Sequence, residues 1–269
     1  MSTTHCHLAL FSTLALAGLA AAQEPINTTA ATQPGVGRLV VREQFRWLES
    51  NEGFAPDAGQ TTEWQSWTSV FYGLRHDFAL GAELPARALD VSDGSDDADL
   101  GSPRFLAKWR FHRADLEALD TERASLVAGI RAETEDELSL TPGFASDSND
   151  PILGAVYTTV RGRRGFNGAL VGTFTTDGDP DEIRYDAAGL YRMSPEVFAA
   201  DTEAGWYLAV ELNGLYESNG DNELMFAPGL MYEARRWTGE LSVQLPFLSE
   251  VDHRPEVHWT LVLGLRILF

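Results

Sequence analysis

An all-β chain that crosses a membrane as a closed antiparallel barrel of about twelve strands is the fold class predicted by this sequence. Three observations predict it. Apolar residues recur at every second position in about twelve segments of roughly nine to fifteen residues, the period and length of a tilted transmembrane strand. Past residue 22 no apolar run approaches the roughly 20 residues of a membrane-spanning helix, so any crossing is made by strands. The connections alternate between short basic turns and longer acidic loops, a sorting that a soluble sandwich has no reason to show.

The amino terminus predicts export. Leu8 to Ala20 is an apolar run followed by Ala21, Ala22 and Gln23, which reads as the hydrophobic region and small-residue cleavage site of a secretory signal peptide. Residues 1–22 are therefore expected to be a signal peptide and 23–269 a single barrel domain, although only His5 and His7 precede the run where Lys or Arg is usual. The one cysteine, Cys6, lies before the run, so the exported part has no disulfide. The net charge of −20 falls wholly in residues 23–269, because the first 22 contain no Asp, Glu, Lys or Arg. Such acidity argues against nucleic acid as a partner, since phosphate neutralisation requires a basic face.

After a polar lead, Gln23 to Gly35, the first strand is predicted over Gly37 to Trp47. Leu39, Val41, Phe45 and Trp47 share one face, with Glu43 the exception, and Arg38, Arg42, Gln44 and Arg46 share the other. The next two, Trp64 to Leu74 and Phe78 to Leu84, flank a turn at Arg75, His76 and Asp77. The fourth, Arg104 to Arg113, sets Phe105, Ala107, Trp109 and Phe111 against Leu106, Lys108, Arg110 and His112. The fifth runs over Arg123 to Glu133, and the sixth and seventh, Ile152 to Arg161 and Phe166 to Thr175, flank Gly162 to Gly165. The eighth is Ile183 to Arg192. The ninth is the clearest internal one: Trp206, Leu208, Val210 and Leu212 alternate with Tyr207, Ala209, Glu211 and Asn213. The tenth, Leu224 to Ala234, contains Pro228, which cannot donate a ladder hydrogen bond and predicts a bulge or bend. The eleventh is Trp237 to Leu245. Single helical turns are expected in Ala114 to Glu122 and in Ser194 to Glu203, the latter with Ser194 as N-cap and Pro195 at the first helical position.

The twelfth strand, Pro255 to Phe269, carries Val257, Trp259, Leu261, Leu263, Leu265, Ile267 and Phe269 on one face and a mixed set, His258, Thr260, Val262, Gly264, Arg266 and Leu268, on the other. Ending in Phe, it resembles the closing strand and assembly signal of bacterial outer-membrane barrels, and it should pair with the first strand. That resemblance implies the outer membrane as location, its lipid and lipopolysaccharide as surroundings, and the barrel-assembly machinery as a partner for the strand ending at Phe269. With both termini periplasmic, the connections holding Arg75 and His76, Arg161 to Arg164, and Arg235 and Arg236 are periplasmic. The acidic ones, including Asp90 to Asp99 and Asp177 to Glu182, face outward. Trp and Tyr towards strand ends fit interfacial girdles.

Two internal stretches carry a further resemblance. Tyr72 to Pro85 (YGLRHDFALGAELP) and Leu224 to Pro246 (LMFAPGLMYEARRWTGELSVQLP), followed by Gly264-Leu265-Arg266 and terminal Phe269, are similar to the outer-membrane transporter family associated with the MetA pathway of phenol degradation. Arg75-His76 replaces the small polar turn of that pattern. The resemblance implies passage of hydrophobic or aromatic compounds.

Enzyme signatures are missing from the sequence: it has no G-x-S-x-G elbow, no H-E-x-x-H, no phosphate loop and no Cys/His metal spacing. No catalytic residue, cofactor site or metal site is assigned. The run Asp90 to Asp99 offers oxygen ligands to a hard cation, without a spacing that fixes their geometry. The inward set is more informative. Arg42, Arg46, Lys108, Arg110, Arg131, Glu211, Glu233, Glu240 and Arg266 are the expected pore-lining residues, with Arg184, Arg192, Glu83, Glu133 and His112 also inward. Facing rings of Arg and carboxylate either narrow and polarise a pore or pair across it and plug it. The acidic mouth is expected to favour cations or neutral solutes. The sequence thus predicts a passive outer-membrane channel for small solutes. A plugged structural barrel and a lipid-modifying or hydrolytic barrel enzyme are the alternatives.

Overall fold

The computed structural model describes residues 23–51, 60–91, 96–117, 120–134, 143–199 and 202–269. The expected signal peptide and parts of the acidic loops, including Glu52, Asp57, Asp93 and Glu135 to Glu137, lie outside them. Thirteen strands follow one another: β1 (Leu39–Asn51), β2 (Gln60–Arg75), β3 (Phe78–Val91), β4 (Asp96–Leu100), β5 (Arg104–Asp115), β6 (Thr121–Arg131), β7 (Asp150–Arg161), β8 (Arg164–Thr173), β9 (Glu182–Ser194), β10 (Ala204–Glu217), β11 (Asn222–Ala234), β12 (Trp237–Glu250) and β13 (Val257–Leu268). Twelve form a closed antiparallel ring, in which β3 pairs with β5 and β13 returns to β1. The closing register sets Val41 opposite Ile267 and Arg42 opposite Arg266. Phe269 and Leu39 exchange both backbone hydrogen bonds, at 2.8 and 3.3 Å. The short β4 pairs only with the outer part of β3, Ala86 to Asp90, and stands outside the ring.

Burial is inverted relative to a water-soluble sandwich. Outward rows such as Phe45 and Trp47, Leu208, Val210 and Leu212, and Leu263 and Leu265 are exposed, whereas Glu211, Asn167, Ser125 and Asp150 are fully buried. A barrel with an apolar exterior and polar interior is made for lipid outside. Aromatic contacts mark both rims. Trp47 stacks on Trp64 at 4.9 Å and meets Trp259 at 5.1 Å near the outer end. Tyr232 meets Trp206 at 4.9 Å and Trp237 at 5.2 Å near the inner end.

The structure corrects the sequence reading at several places. Strand β3 continues past Leu84 to Val91, because β2 goes on pairing with it as far as Thr61 opposite Val91. Neither expected helical turn is seen among the described residues, which contain no helix. Ala114 pairs with Glu122 and Asp115 with Thr121, and Leu116 N–H donates to the Asp120 carbonyl at 2.9 Å, so strand pairing occupies the ends of the first stretch. Ser194 is a strand residue opposite Trp206, which leaves it no N-cap geometry. A bulge between Arg110 and His112 turns His112 outward to within 3.8 Å of Glu122 and turns Arg113 inward. Glu133 lies beyond the end of β6 and is exposed. At Pro228 the β11–β12 ladder lacks pairs at Ala227 and Pro228, but Phe226 opposite Leu245 and Gly229 opposite Ser242 keep one register, so no bulge forms there; the register shift lies between Leu224 and Met225.

Candidate functional site

The lumen of this barrel holds the chain's own amino-terminal segment. Residues Gln23 to Gln33 precede β1 and run inside the ring, with Ile26 and Ala31 completely buried. A peptide in a polar lumen must have its backbone groups satisfied, and here the wall supplies the partners. Glu211 accepts Ile26 N–H at 2.7 Å, Asn27 N–H at 3.0 Å and Thr28 N–H at 2.7 Å. Gln44 donates to the Ile26 carbonyl at 2.7 Å, Lys108 Nζ to the Ala30 carbonyl at 2.8 Å and Ser125 to the Ala31 carbonyl at 3.1 Å. Thr158 accepts Ala31 N–H at 2.8 Å. Ile26 packs among Ala188, Leu190, Tyr207, Ala209, Met231 and Val262, an apolar patch on the inner wall.

The nine side chains expected to line the pore lie inside, unlike His112 and Glu133, but most of them are paired. Arg266 bonds Glu24 and Glu240, both at 2.5 Å, and Glu240 also takes Arg42 at 2.6 Å. Lys108 and Glu211 hold the amino-terminal segment. Arg131, almost wholly buried, pairs with Asp150 at 2.8 Å and Glu182 at 2.6 Å. Glu233 lines the inner part of the cavity, and Arg110 donates to the His76 carbonyl at the rim that carries Phe269. Arg46 differs from these: its guanidinium lies 5.3 Å from the ring centre of Trp67 and donates only to Gln44 at 3.3 Å. Buried charges persist where partners compensate their desolvation, and this lumen supplies partners for nearly all of them.

A second inward element closes the outer side. Phe144 is completely buried, with Arg87 4.8 Å from its ring centre, and Arg104 donates to the Gly143 carbonyl. Gly143 has φ +71°, and a side chain there would begin 2.8 Å from an Arg104 nitrogen, so only glycine suits the position. Ser146 N–H donates to Ser102 Oγ at 2.8 Å and Ser146 Oγ to Asp150 at 2.6 Å, which ties this loop to the Arg131 network. Further out, buried Arg254 joins Glu217 at 2.6 Å and Glu223 at 3.3 Å.

Beside the segment remains a cavity of about 1170 Å³. It reaches from the rim at His76, Arg235 and Phe269 to Arg104 and Arg184, and Leu106, Val127, Ile152 and Val171 form an apolar wall. On the outer loops the carboxylate oxygens of Asp147, Asp177 and Asp179 lie within 4.8 Å of one another, all three residues exposed. The acidic run Asp90 to Asp99 does not supply this cluster.

Sequence reasoning missed the intraluminal segment. Its one signal was the inward row Tyr207, Ala209 and Leu215, too apolar for a wall facing water alone.

No protein-family model matches the chain, and no curated protein matches it. Among solved structures, an outer membrane channel from Pseudomonas putida F1 superposes with a TM-score of 0.61 at 13% identity, covering 91% of this chain and 100% of that one. The β domain of the Bordetella autotransporter BrkA matches with a TM-score of 0.46 at 11% identity, covering 86% and 99%. The translocator domain of the autotransporter NalP from Neisseria meningitidis matches at 0.43 and 11%, covering 87% and 89%. The likeness to the P. putida structure shows the fold, that of an outer-membrane β-barrel.

Proposed function

We propose that this chain is a bacterial outer-membrane pore through which small solutes, among them hydrophobic or aromatic ones, pass by diffusion, and that Gln23 to Gln33 sets its conductance. The observation that carries the reading is the cavity of about 1170 Å³ inside a closed ring, reaching the periplasmic rim and narrowed by a segment that belongs to no strand. The P. putida fold neighbour is an outer membrane channel, which supports it. The apolar wall of Leu106, Val127, Ile152 and Val171 suits solutes with an apolar body. The resemblance of the β2–β3 and β11–β12 hairpins to the phenol-degradation transporter family points the same way. The outward rows meet outer-membrane lipid, the acidic outer loops meet lipopolysaccharide through bridging divalent cations, and the barrel-assembly machinery engages β13 and Phe269.

A second reading, a plugged structural barrel, is favoured by the hydrogen bonds that hold the segment. Recordings in planar bilayers decide between them. The pore reading expects small, flickering conductance from the full barrel and a large steady conductance from a chain lacking residues 23–33. No conductance from either, with no solute uptake in vesicles, would leave the plugged barrel.

A further inference from the structure

The expected cleavage of the leader falls between Ala22 and Gln23, and Gln23 sits deep in the lumen, only 3% exposed. Its backbone N–H donates to the Glu233 carboxylate on β11, and Asn167 donates to its carbonyl at 3.3 Å. Its side-chain oxygen lies against Gly165, where no side chain would fit, and is buried without a hydrogen-bond partner. Gln23 also has φ +82°, the left-handed region in which the preceding carbonyl crowds a side chain.

Among the described residues Glu233 joins no ion pair. The cation that acts on it most strongly is Arg266, whose guanidinium is already bound to Glu24 and Glu240, both at 2.5 Å. Arg42 is bound to Glu240 at 2.6 Å. Two guanidiniums thus meet three carboxylates, Glu24, Glu233 and Glu240, and the cluster is short of one positive charge. The neighbouring cations are engaged elsewhere. Lys108, which also acts on Glu24, donates to the Ala30 and Thr32 carbonyls at 2.8 and 3.2 Å. Arg192, which shares Tyr207 with Glu233, lies 4.0 Å from the ring centre of Phe198.

We infer that the missing charge is the α-ammonium of Gln23, made when the leader is removed, and that Glu233 is a built site for the processed amino terminus. Hydrolysis of the Ala22–Gln23 bond adds one water: Ala22 leaves with a carboxylate, and Gln23 keeps an amine that takes up a proton. The ammonium carries three N–H groups where the peptide nitrogen carried one. Glu233 takes one, and the unpartnered side-chain oxygen of the same residue is an acceptor for a second. With the preceding carbonyl gone, the crowding at φ +82° ends. Full seating of the segment is thereby conditional on processing, because an uncleaved chain has neither the charge nor the relaxed backbone. The pair rests on the seated segment that the pore reading also uses, and not on the passage of any solute.

The test starts with the barrel purified from membranes, whose intact mass and amino-terminal sequence should show a free Gln23. A chain starting elsewhere would overturn the proposal, as would a Gln23 whose amine has closed onto its own side-chain amide, releasing ammonia and leaving a neutral lactam. The unfolded chain is then acetylated at about pH 6.5 and refolded in detergent; the α-amine reacts selectively there, because Lys108, the only lysine, has an ordinary pKa about 2.5 units higher. Acetylation should quicken hydrogen exchange at the Ile26 to Thr28 amides by about tenfold or more, the worth of one charge-assisted hydrogen bond. Reductive methylation adds bulk at the same amine but keeps its charge, and should leave exchange within about twofold of the untreated barrel. Glu233→Gln should quicken exchange as acetylation does, and acetylating that variant should add less than about twofold, since both changes remove one pair. No effect of acetylation, an equal effect of methylation, or an undiminished effect of acetylation in the variant would overturn the pair. Should Glu233→Gln fail to fold, acetylation against methylation decides alone. This coupling in a barrel that never conducts would keep the pair and remove the pore, and a conducting barrel indifferent to acetylation would do the reverse.

Discussion

Replacing Glu211 should open the lumen without unfolding the barrel. Its carboxylate, completely buried on the inner wall of β10, accepts the backbone N–H groups of Ile26, Asn27 and Thr28 at 2.7 to 3.0 Å. Each charge-assisted bond is worth roughly 1.5–3 kcal/mol net, and the three share one carboxylate, so their losses do not simply add. Glu211→Gln keeps one acceptor oxygen and brings an N–H₂ that faces donors. We therefore expect the segment to be held about 3–5 kcal/mol less tightly, the range for removing one side of a buried charged network. That corresponds to a shift of about 10²- to 4×10³-fold in the equilibrium between seated and released segment. Hydrogen exchange read by mass spectrometry should show the amides of Ile26 to Thr28 exchanging faster by that factor. Single-channel recordings should show longer open times. The side chain takes no part in the strand ladder, so the heat-modifiable mobility of the folded barrel should be unchanged. If exchange and open time both match the unaltered protein, Lys108, Gln44, Ser125 and Thr158 suffice to hold the segment and the reasoning from Glu211 fails.

Three further outcomes are expected. Arg131→Ala removes the ion-pair partner of Asp150 and leaves Glu182 only Arg184 at 3.9 Å, and should cost about 3–5 kcal/mol, lowering the urea midpoint of the detergent-folded barrel; an unchanged midpoint would contradict the buried network. Phe269→Asp places a charge near the inner interface, where the lipid cost is only about 0–1 kcal/mol, so folding into detergent should survive while the amount inserted in cells falls. Equal insertion of this variant in cells would remove the assembly role given to the last strand. On the outer loops, the hydrogen bond that His253 Nδ1–H donates to the Asp221 carboxylate raises the pKa of His253, while backbone N–H groups of Asp252 and His253, with the ring, outweigh burial and lower that of Asp221. A raised histidine contributes its stability fully below its ordinary value and loses it as pH rises through the shifted one. The depressed carboxylate contributes above its ordinary value and loses it as pH falls. Both contributions are complete from about pH 4 to about pH 6.5. Proteolytic nicking at residues 251–256 should be slowest in that window, and a rate independent of pH would refute a stabilising role for the His253–Asp221 pair.

The ring was legible because lipid constrains each outward row independently. Every strand had to be apolar at alternate positions, and each crossing had to return, so period, parity and closure of β13 on β1 were written locally. Where a feature depends on a neighbour's register, the local pattern was silent. Pro85 looks like a strand end, yet it falls in a gap: β3 pairs with β5 up to Glu83 opposite Arg104, and with β4 only from Ala86 opposite Leu100. A residue without an N–H is tolerated there because no partner strand asks for one. The bulge at Arg110 and His112 carries no glycine to announce it, and it exchanged which of His112 and Arg113 faces the lumen.

The contents of the lumen were harder to read, because alternation tells which face a charge takes and not which charge it meets. Arg42 and Arg266 share a register, but Glu240 joins them from β12 and Glu24 from outside the sheet. Polarity along Gln23 to Gln33 reads as a solvated lead, although small residues with many backbone groups are also what a narrow polar lumen accepts. The evidence against a water-filled tube lay in the wall. Leu190, Tyr207, Ala209, Met231 and Val262 alternate onto the inward row, and apolar area facing water there would be unfavourable by about 25 cal/mol per Å² unless something covered it. Ile26 covers it. The same logic applies to β5 through β8, where Ala31 packs on Val127 and Val156 and leaves Ile152 and Val171 lining open cavity.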